Sequence, residues 1–143
     1  YMVGTITGRD NKPHLARFHE ENIEKQSEYE FWNGSGWAKD NETAAVPLFD
    51  DIAGELSVAY HPKFNKWILL YFNGTRYEIS FRAADHITGP WSEPAKLVDG
   101  WQYAQLYGSF IHPLSLEGDT LYFIMSMWLP YNSYLMSVEL LSK

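Results

Sequence analysis

The chain has 143 residues, of which 45% are hydrophobic, and this is enough to bury a core of domain size. Its formal net charge of -7 and its 11 scattered Lys and Arg residues disfavour a nucleic-acid partner, which would need clustered positive charge. No apolar run approaches the roughly 20 residues that span a bilayer, since the strongest, 121–129, is short and contains Ser126. The absence of cysteine excludes disulfides and thiolate ligands.

The hydrophobic pattern predicts an all-β chain. Aromatic residues make up 17% of the sequence and favour strands, and only residues 20–28 are compatible with a turn of helix. Short apolar or alternating runs between turn signals predict ten strands. These strands cover residues 1–6, 14–19, 28–33, 54–61, 66–73, 78–84, 95–98, 107–112, 120–128 and 134–141.

An internal repeat lies within this pattern. The run 59–62 (Ala-Tyr-His-Pro) returns as 110–113 (Phe-Ile-His-Pro), a shift from 59 to 110 of 51 residues, and an aromatic-rich strand follows each copy. Trp37 and Trp91 form a looser echo, each after the third strand of a group. A period near about 50 residues is typical of one propeller blade per repeat.

The repeat predicts an incomplete β-propeller of about two and a half to three blades, each an antiparallel four-stranded meander. Residues 54–98 form one complete meander, so the chain divides into a partial blade at 1–50, a complete blade at 51–100 and a partial blade at 101–143. On this prediction the first blade lacks its innermost strand and the last lacks its outermost. The alternative is a complete small β-domain in which the repeat is a coincidence.

Several runs give the sequence a family resemblance. They are 15–17 (Leu-Ala-Arg), 54–60 (Gly-Glu-Leu-Ser-Val-Ala-Tyr), 81–84 (Phe-Arg-Ala-Ala), 89–92 (Gly-Pro-Trp-Ser), 107–113 (Tyr-Gly-Ser-Phe-Ile-His-Pro), and 126–128 (Ser-Met-Trp) followed by Tyr131 and Asn132. They resemble the C-terminal half of the five-bladed propeller family that includes bacterial endo-D-arabinanases. The resemblance implies that the full ring is five-bladed and that the catalytic carboxylates lie mainly in earlier blades, outside this sequence.

Propeller topology predicts that four connections, at residues 49–54, 73–77, 99–106 and 129–133, meet on one face. Aromatic rings there can pack on the C–H face of a sugar, while amides bind its hydroxyl groups. Trp128 ends an apolar strand and fits the core as well as a platform. The candidate substrate-binding residues are Asn73, Trp101, Tyr103, Tyr107, Tyr131 and Asn132.

Glu55 is the candidate catalytic carboxylate, because it opens an innermost strand. Glycoside hydrolysis needs a second carboxylate about 5 to 9.5 Å away, which Asp50 or Asp51 could supply only if their loop bends inward. As a lone carboxylate, Glu55 fits a substrate-contacting or structural role better than that of proton donor. His61 and His112 repeat before proline, which favours bonds to backbone groups over metal binding, and the sequence predicts neither a metal site nor a cofactor.

Two functions follow as hypotheses. The resemblance implies a secreted, periplasmic or cell-surface glycoside hydrolase acting on arabinose-containing or related polysaccharide, with this segment forming one wall of the sugar cleft. The alternative is a non-catalytic carbohydrate-binding or scaffolding propeller. The expected partners are a polysaccharide or oligosaccharide, and either the missing N-terminal blades or a second copy of the chain. Neither nucleic acid nor a membrane span is expected.

Overall fold

A computed structural model describes residues 1–141, and these residues are all-β. The eleven strands of this described range form three antiparallel sheets, and its only helical segments are four short 3-10 turns. Two of those turns, Glu20–Asn22 and Gln26–Glu28, occupy the segment where a turn of helix was predicted. The other two are Glu42–Ala44 and Pro113–Ser115.

The first sheet has four strands in sequence order. They are β1 (Met2–Thr5), β2 (Pro13–Arg17), β3 (Glu30–Trp32) and β4 (Trp37–Lys39). The sequence predicted three strands for this sheet, which is wrong, because the sheet has four. The prediction missed β4 because three residues are too few to show an alternating pattern, although Trp37 pairs across the hairpin with Trp32.

The second sheet confirms the predicted meander across residues 54–98. Its strands are β5 (Leu56–His61), β6 (Lys66–Asn73), β7 (Glu78–Ala84) and β8 (Ala95–Asp99), in that order and all antiparallel. The third sheet has the order β11-β10-β9, from β9 (Leu106–Ile111), β10 (Thr120–Met127) and β11 (Asn132–Glu139). The described residues thus make two four-stranded sheets and one three-stranded sheet, and they do not form a closed ring.

The second sheet lies between the other two and is buried on both faces. Along β6, Leu69 and Tyr71 point into a core shared with the first sheet, where Leu15 also lies. Ile68, Leu70 and Phe72 point into a core shared with Phe123 and Met125 of the third sheet. Because successive side chains of a strand alternate between its faces, one continuous apolar strand supplies both cores.

Trp91 packs in the core between the first and second sheets. The turn before it contains Gly89, whose φ of +89° favours glycine, and the Gly89–Pro90 bond is cis. The indole is buried and faces the ring of Phe49 at 6.4 Å. The packing role predicted for this tryptophan between neighbouring sheets is confirmed.

A buried polar network adjoins the same core. Arg82 donates to the Asp51 carboxylate at 2.7 Å and to the Tyr71 hydroxyl at 3.0 Å, while the Tyr71 hydroxyl donates to Asp51. Burial, together with the hydrogen bond to Asp51, raises the pKa of Tyr71 to about 12. Burial alone would raise the pKa of Asp51, but hydrogen bonds from Tyr71 and Arg82 hold it below its ordinary value. The hydrogen bonds of the network therefore outweigh the effect of burial on the pKa of Asp51.

We predict that Arg82→Met lowers the free energy of unfolding by about 2 to 4 kcal/mol, because it leaves the Asp51 carboxylate largely buried without its partner. Lys66→Met is the matched control, since it removes an exposed ion pair with Asp85 and should cost less than about 1 kcal/mol. Urea denaturation of both variants measures the difference. If both variants lose the same free energy of unfolding, the stabilising role of the buried Arg82–Asp51 pair is contradicted.

His61 and His112 differ despite their repeated sequence. His112 Nδ1 accepts a hydrogen bond from the backbone N–H of Leu114 at 3.3 Å, as predicted. His61 is fully buried beside Phe64, and neither of its ring nitrogens has a hydrogen-bond partner among the described residues, so the prediction is wrong for this residue. Burial lowers the pKa of His61, because the charged imidazolium is poorly solvated there.

We predict that the free energy of unfolding falls by about 1 kcal/mol as the pH is lowered from about 7.5 to about 5.5. The unfolded state binds a proton to His61 near its ordinary pKa, whereas the folded state resists protonation, so acid favours unfolding. His61→Leu should remove this decline, whereas His112→Gln should retain it. Urea denaturation at the two pH values measures the fall in the free energy of unfolding. If His61→Leu shows the same fall as the wild type, the prediction is wrong.

Candidate functional site

Residues from all three sheets meet at one place on the surface. Arg9 lies in the connection from β1 to β2, Glu55 immediately precedes β5, and Tyr107 lies at the start of β9. Trp128 and Tyr131 come from the turn between β10 and β11. Each of these five residues contacts the next, in the order Glu55, Arg9, Tyr107, Trp128 and Tyr131. We call this group the aromatic surface.

Arg9 is the polar centre of the aromatic surface. Its Nη2 donates to Glu55 Oε2 at 2.6 Å and to the Tyr107 carbonyl at 2.9 Å. Its guanidinium carbon also lies 4.6 Å from the centre of the Tyr107 ring and 5.0 Å from that of Phe72, within the range of cation–π attraction. Arg9 is exposed and Glu55 is half-buried, so the pair is open to a ligand from solvent.

Three aromatic rings continue the surface away from the ion pair. The Tyr107 and Trp128 rings are 5.7 Å apart and tilted by 37°, and the Trp128 and Tyr131 rings are 6.1 Å apart. Tyr107 is half-buried, while Trp128 and Tyr131 are 57% and 82% exposed. The backbone N–H of Trp128 donates to the Gln105 carbonyl at 2.8 Å, which fixes the turn against the loop before β9. Trp128 is therefore an exposed surface residue rather than a core residue.

Glycines allow the strands carrying this site to approach closely. A Cβ at Gly108 would lie 3.1 Å from the Cβ of Glu55, and a Cβ at Gly54 would lie 3.3 Å from the carbonyl oxygen of Phe72. Both distances are tighter than ordinary side-chain packing. Gly108 thus lets the third sheet come up against Glu55 and places Tyr107 within reach of Arg9.

The structure brings three of the predicted site residues together: Glu55, Tyr107 and Tyr131. Trp101 is exposed and packs on Tyr77 at 5.3 Å, in the loop whose Gln105 holds the Trp128 backbone. Asn132 is exposed at the start of β11, opposite Met127. The substrate-binding roles of these residues stay predictions.

Asn73 and Tyr103 instead point towards the protein interior. Asn73 is fully buried, and its Oδ1 accepts a hydrogen bond from the backbone N–H of Arg76 at 3.1 Å, which shapes the turn after β6. Tyr103 is half-buried and packs against the core between the second and third sheets. Asn73 therefore suits a role in shaping the turn, and Tyr103 suits a role in packing. The sequence did not distinguish them from exposed residues, because the connections at strand ends carry both buried and exposed side chains.

The two aspartates considered as partners of Glu55 have other contacts. Asp51 belongs to the Arg82 network, and Asp50 is exposed and pairs with Lys12 at 3.0 Å. Within residues 1–141, no group of three or more His, Asp or Glu side chains is arranged to hold a metal ion. None of the helical turns in that range has the length or apolar character needed to cross a bilayer.

Arg9 is the residue of the candidate site that sequence reasoning missed. It stands alone between Gly8 and Asp10 in a polar connection, and nothing nearby in the sequence marks it as part of a site. Its partners Glu55 and Tyr107 are 46 and 98 residues away. The only local signal was that its connection adjoins a predicted strand end.

Comparison with known proteins gives the family. Residues 1–137 match the model of a domain of unknown function, DUF4185. The chain belongs to the DUF4185 family. This DUF4185 chain is also similar to notoamide biosynthesis cluster protein J of Aspergillus sp. (strain MF297-2), with 35% identity over 124 residues. The match covers 80% of this chain and 32% of that protein, so the chain spans about a third of its relative's length.

Proposed function

We propose that this DUF4185 domain binds carbohydrate through the aromatic surface and forms one wall of a sugar cleft. The observation that carries the proposal is the row of Tyr107, Trp128 and Tyr131 beside the Arg9–Glu55 pair. Sugars present apolar C–H faces to aromatic rings, and their hydroxyl groups both donate and accept hydrogen bonds. A contiguous exposed aromatic row next to paired polar groups meets both requirements.

In the longer protein, we propose glycoside hydrolysis of arabinose-containing or related polysaccharide. The sequence resemblance to endo-D-arabinanases supports this activity, with Glu55 as a substrate-contacting or catalytic carboxylate. Hydrolysis requires a second carboxylate. Asp50 and Asp51 form ion pairs with Lys12 and Arg82, and we propose, as the resemblance implies, that the second carboxylate comes from earlier blades. A polysaccharide substrate fits a secreted, periplasmic or cell-surface location. The alternative is a non-catalytic binding or scaffolding role for the same surface.

The biosynthetic relative supports a second candidate. Its name assigns it to a biosynthesis cluster, and 35% identity is close enough for related binding surfaces to be considered. On this candidate, the aromatic surface binds a small molecule that is made or modified in biosynthesis. An aromatic row serves either ligand class, so binding experiments must separate the two.

We also propose that the three sheets are successive blades of a propeller. The first strands of the sheets adjoin, since β5 packs against both β1 and β9, and Ser57 Oγ of β5 accepts a hydrogen bond from the backbone N–H of Ile111 at 3.1 Å. In a propeller the innermost strands surround the axis in this way. The domain would then supply three blades of a larger ring.

The open face of the third sheet supports this arrangement. In the second sheet, Ala59, Ile68 and Ala83 pair across three strands and pack against the third sheet. The repeat makes Phe110 the equivalent of Ala59, and Phe110, Ile124 and Leu135 pair in the same way. Phe110 and Leu135 are 55% and 66% exposed. A further sheet, from earlier blades or from a second copy, would cover this row as the third sheet covers its counterpart.

We predict that the isolated domain sediments as a dimer or larger species, because an uncovered apolar sheet face associates in water. Leu135→Lys should shift it to monomer, since the charge lies in the exposed row. Leu114→Lys is the control, because Leu114 is even more accessible than Leu135 but lies in a 3-10 turn outside the exposed row. Analytical ultracentrifugation of the three proteins decides the matter, and a wild type that stays monomeric at high concentration contradicts the prediction.

We predict that arabino-oligosaccharides bind the domain and that Trp128→Ala and Tyr131→Ala each lower the affinity about fivefold, a loss of about 1 kcal/mol. Tyr60→Ala is the matched control. Tyr60 is an exposed tyrosine near the other end of β5, five residues after Glu55 and therefore about 16 Å along the strand. Isothermal titration calorimetry measures the affinities, and urea denaturation establishes that the variants are folded.

The outcomes separate the candidate functions. Affinity that falls in Trp128→Ala and Tyr131→Ala but not in Tyr60→Ala supports the sugar surface. No binding of arabino-oligosaccharide refutes it and leaves the biosynthetic candidate. Release of reducing ends from arabinan by a longer DUF4185 protein would establish hydrolysis, whereas binding without release would favour the non-catalytic alternative.

A further inference from the structure

The hydrogen bonds of Arg9 limit which ligands it can bind. A guanidinium carries five N–H donors, of which two belong to Nη2. Glu55 Oε2 and the Tyr107 carbonyl both accept from Nη2. The donors on Nη1 and Nε have no partner among the described residues, and the arginine is exposed. Arg9 can therefore donate to a ligand from Nη1 or Nε, while both N–H groups of Nη2 are already used.

This arrangement disfavours a carboxylate or phosphate ligand. Arginine binds such anions best through two parallel N–H bonds, either from Nη1 and Nη2 or from Nε and Nη2. Both pairs include Nη2, so a two-point bond to an anion would displace Glu55 or the Tyr107 carbonyl. The Glu55 carboxylate, 2.6 Å from Nη2, would also repel an anion placed there.

The charge of the whole chain acts in the same direction. The formal net charge is -7, which lowers the local concentration of anionic ligands near the surface. Long-range and local electrostatics therefore both oppose an acidic sugar.

The groups left over match a pair of adjacent hydroxyls. Glu55 Oε1 is an acceptor without a partner among residues 1–141, and the other oxygen of the same carboxylate lies 2.6 Å from Arg9 Nη2, so the free acceptor and the free donors belong to one ion pair. One hydroxyl of a neutral sugar can donate to the carboxylate while its neighbour accepts from the guanidinium. The adjoining Tyr107 ring can cover the apolar face of the same sugar.

We propose that the Arg9–Glu55 pair selects neutral sugars with a vicinal diol and rejects acidic sugars such as uronates. The inference rests on the proposed function, because it takes the aromatic surface to be the sugar site. Arg9 is a specificity-determining residue in this proposal. Glu55 supplies the charge that keeps Arg9 from binding a carboxylate.

The test compares a neutral arabino-oligosaccharide with an oligogalacturonate of the same length, by calorimetry on the intact domain at moderate ionic strength. The wild type should bind the neutral ligand at least about tenfold more tightly, since like charges at a binding site oppose association. Glu55→Gln should reduce this preference at least about fivefold, because it removes the charge and frees Arg9 for the galacturonate carboxylate. Asp50→Asn is the matched control: it removes the same charge from an exposed carboxylate and should leave the preference unchanged.

Four results would overturn the inference. Galacturonate binding as tight as neutral binding in the wild type refutes the selection itself. If Glu55→Gln prefers the neutral ligand as strongly as the wild type does, the role of the Arg9–Glu55 pair is refuted. The same holds if Asp50→Asn weakens the preference as much as Glu55→Gln does. If neither oligosaccharide binds, the proposed function is refuted and this inference with it. That result differs from the others because the titrations then show no binding heat.

Discussion

The double burial of β6 is the constraint on which the rest of the structure depends. Its run Ile68 to Phe72 is buried throughout, with alternate side chains entering the cores on either side of the second sheet. A strand that is apolar on both faces needs cover from two directions, and the first and third sheets supply it. Their positions are therefore fixed relative to the second sheet and to each other.

The site follows from this stacking. Arg9, Glu55 and Tyr107 come from connections and strand ends in three different sheets, and they meet because β1, β5 and β9 lie side by side. Gly108 permits the closest part of this approach, where a larger residue would press on Glu55. The polar network around Asp51 lies within the framework, as does His61, whose ring nitrogens have no hydrogen-bond partner in the described part of the chain. We expect these groups to affect stability rather than to contact a ligand.

Membership of the DUF4185 family does not by itself assign a ligand, so the function has to be argued from the surface. The aromatic surface is open to solvent and combines aromatic rings with an ion pair that has free donors and acceptors, and this combination supports the proposed sugar binding. The Aspergillus relative is about three times longer than the region that it shares with this chain. In a protein of that length, further segments can supply the other walls of the proposed cleft.

The sequence by itself determined the elements with strong local signals. The alternating and apolar runs predicted the second sheet, and the turn before Trp91 predicted its packing role, because strand periodicity and turn chemistry are local properties. The three-residue β4 was too short for such a signal, and the burial of Asn73 and Tyr103 depends on neighbours from other strands. Only the tertiary structure decided that Arg9 meets Glu55 and Tyr107, since contacts across 46 and 98 residues arise from sheet packing and leave no mark in the local pattern.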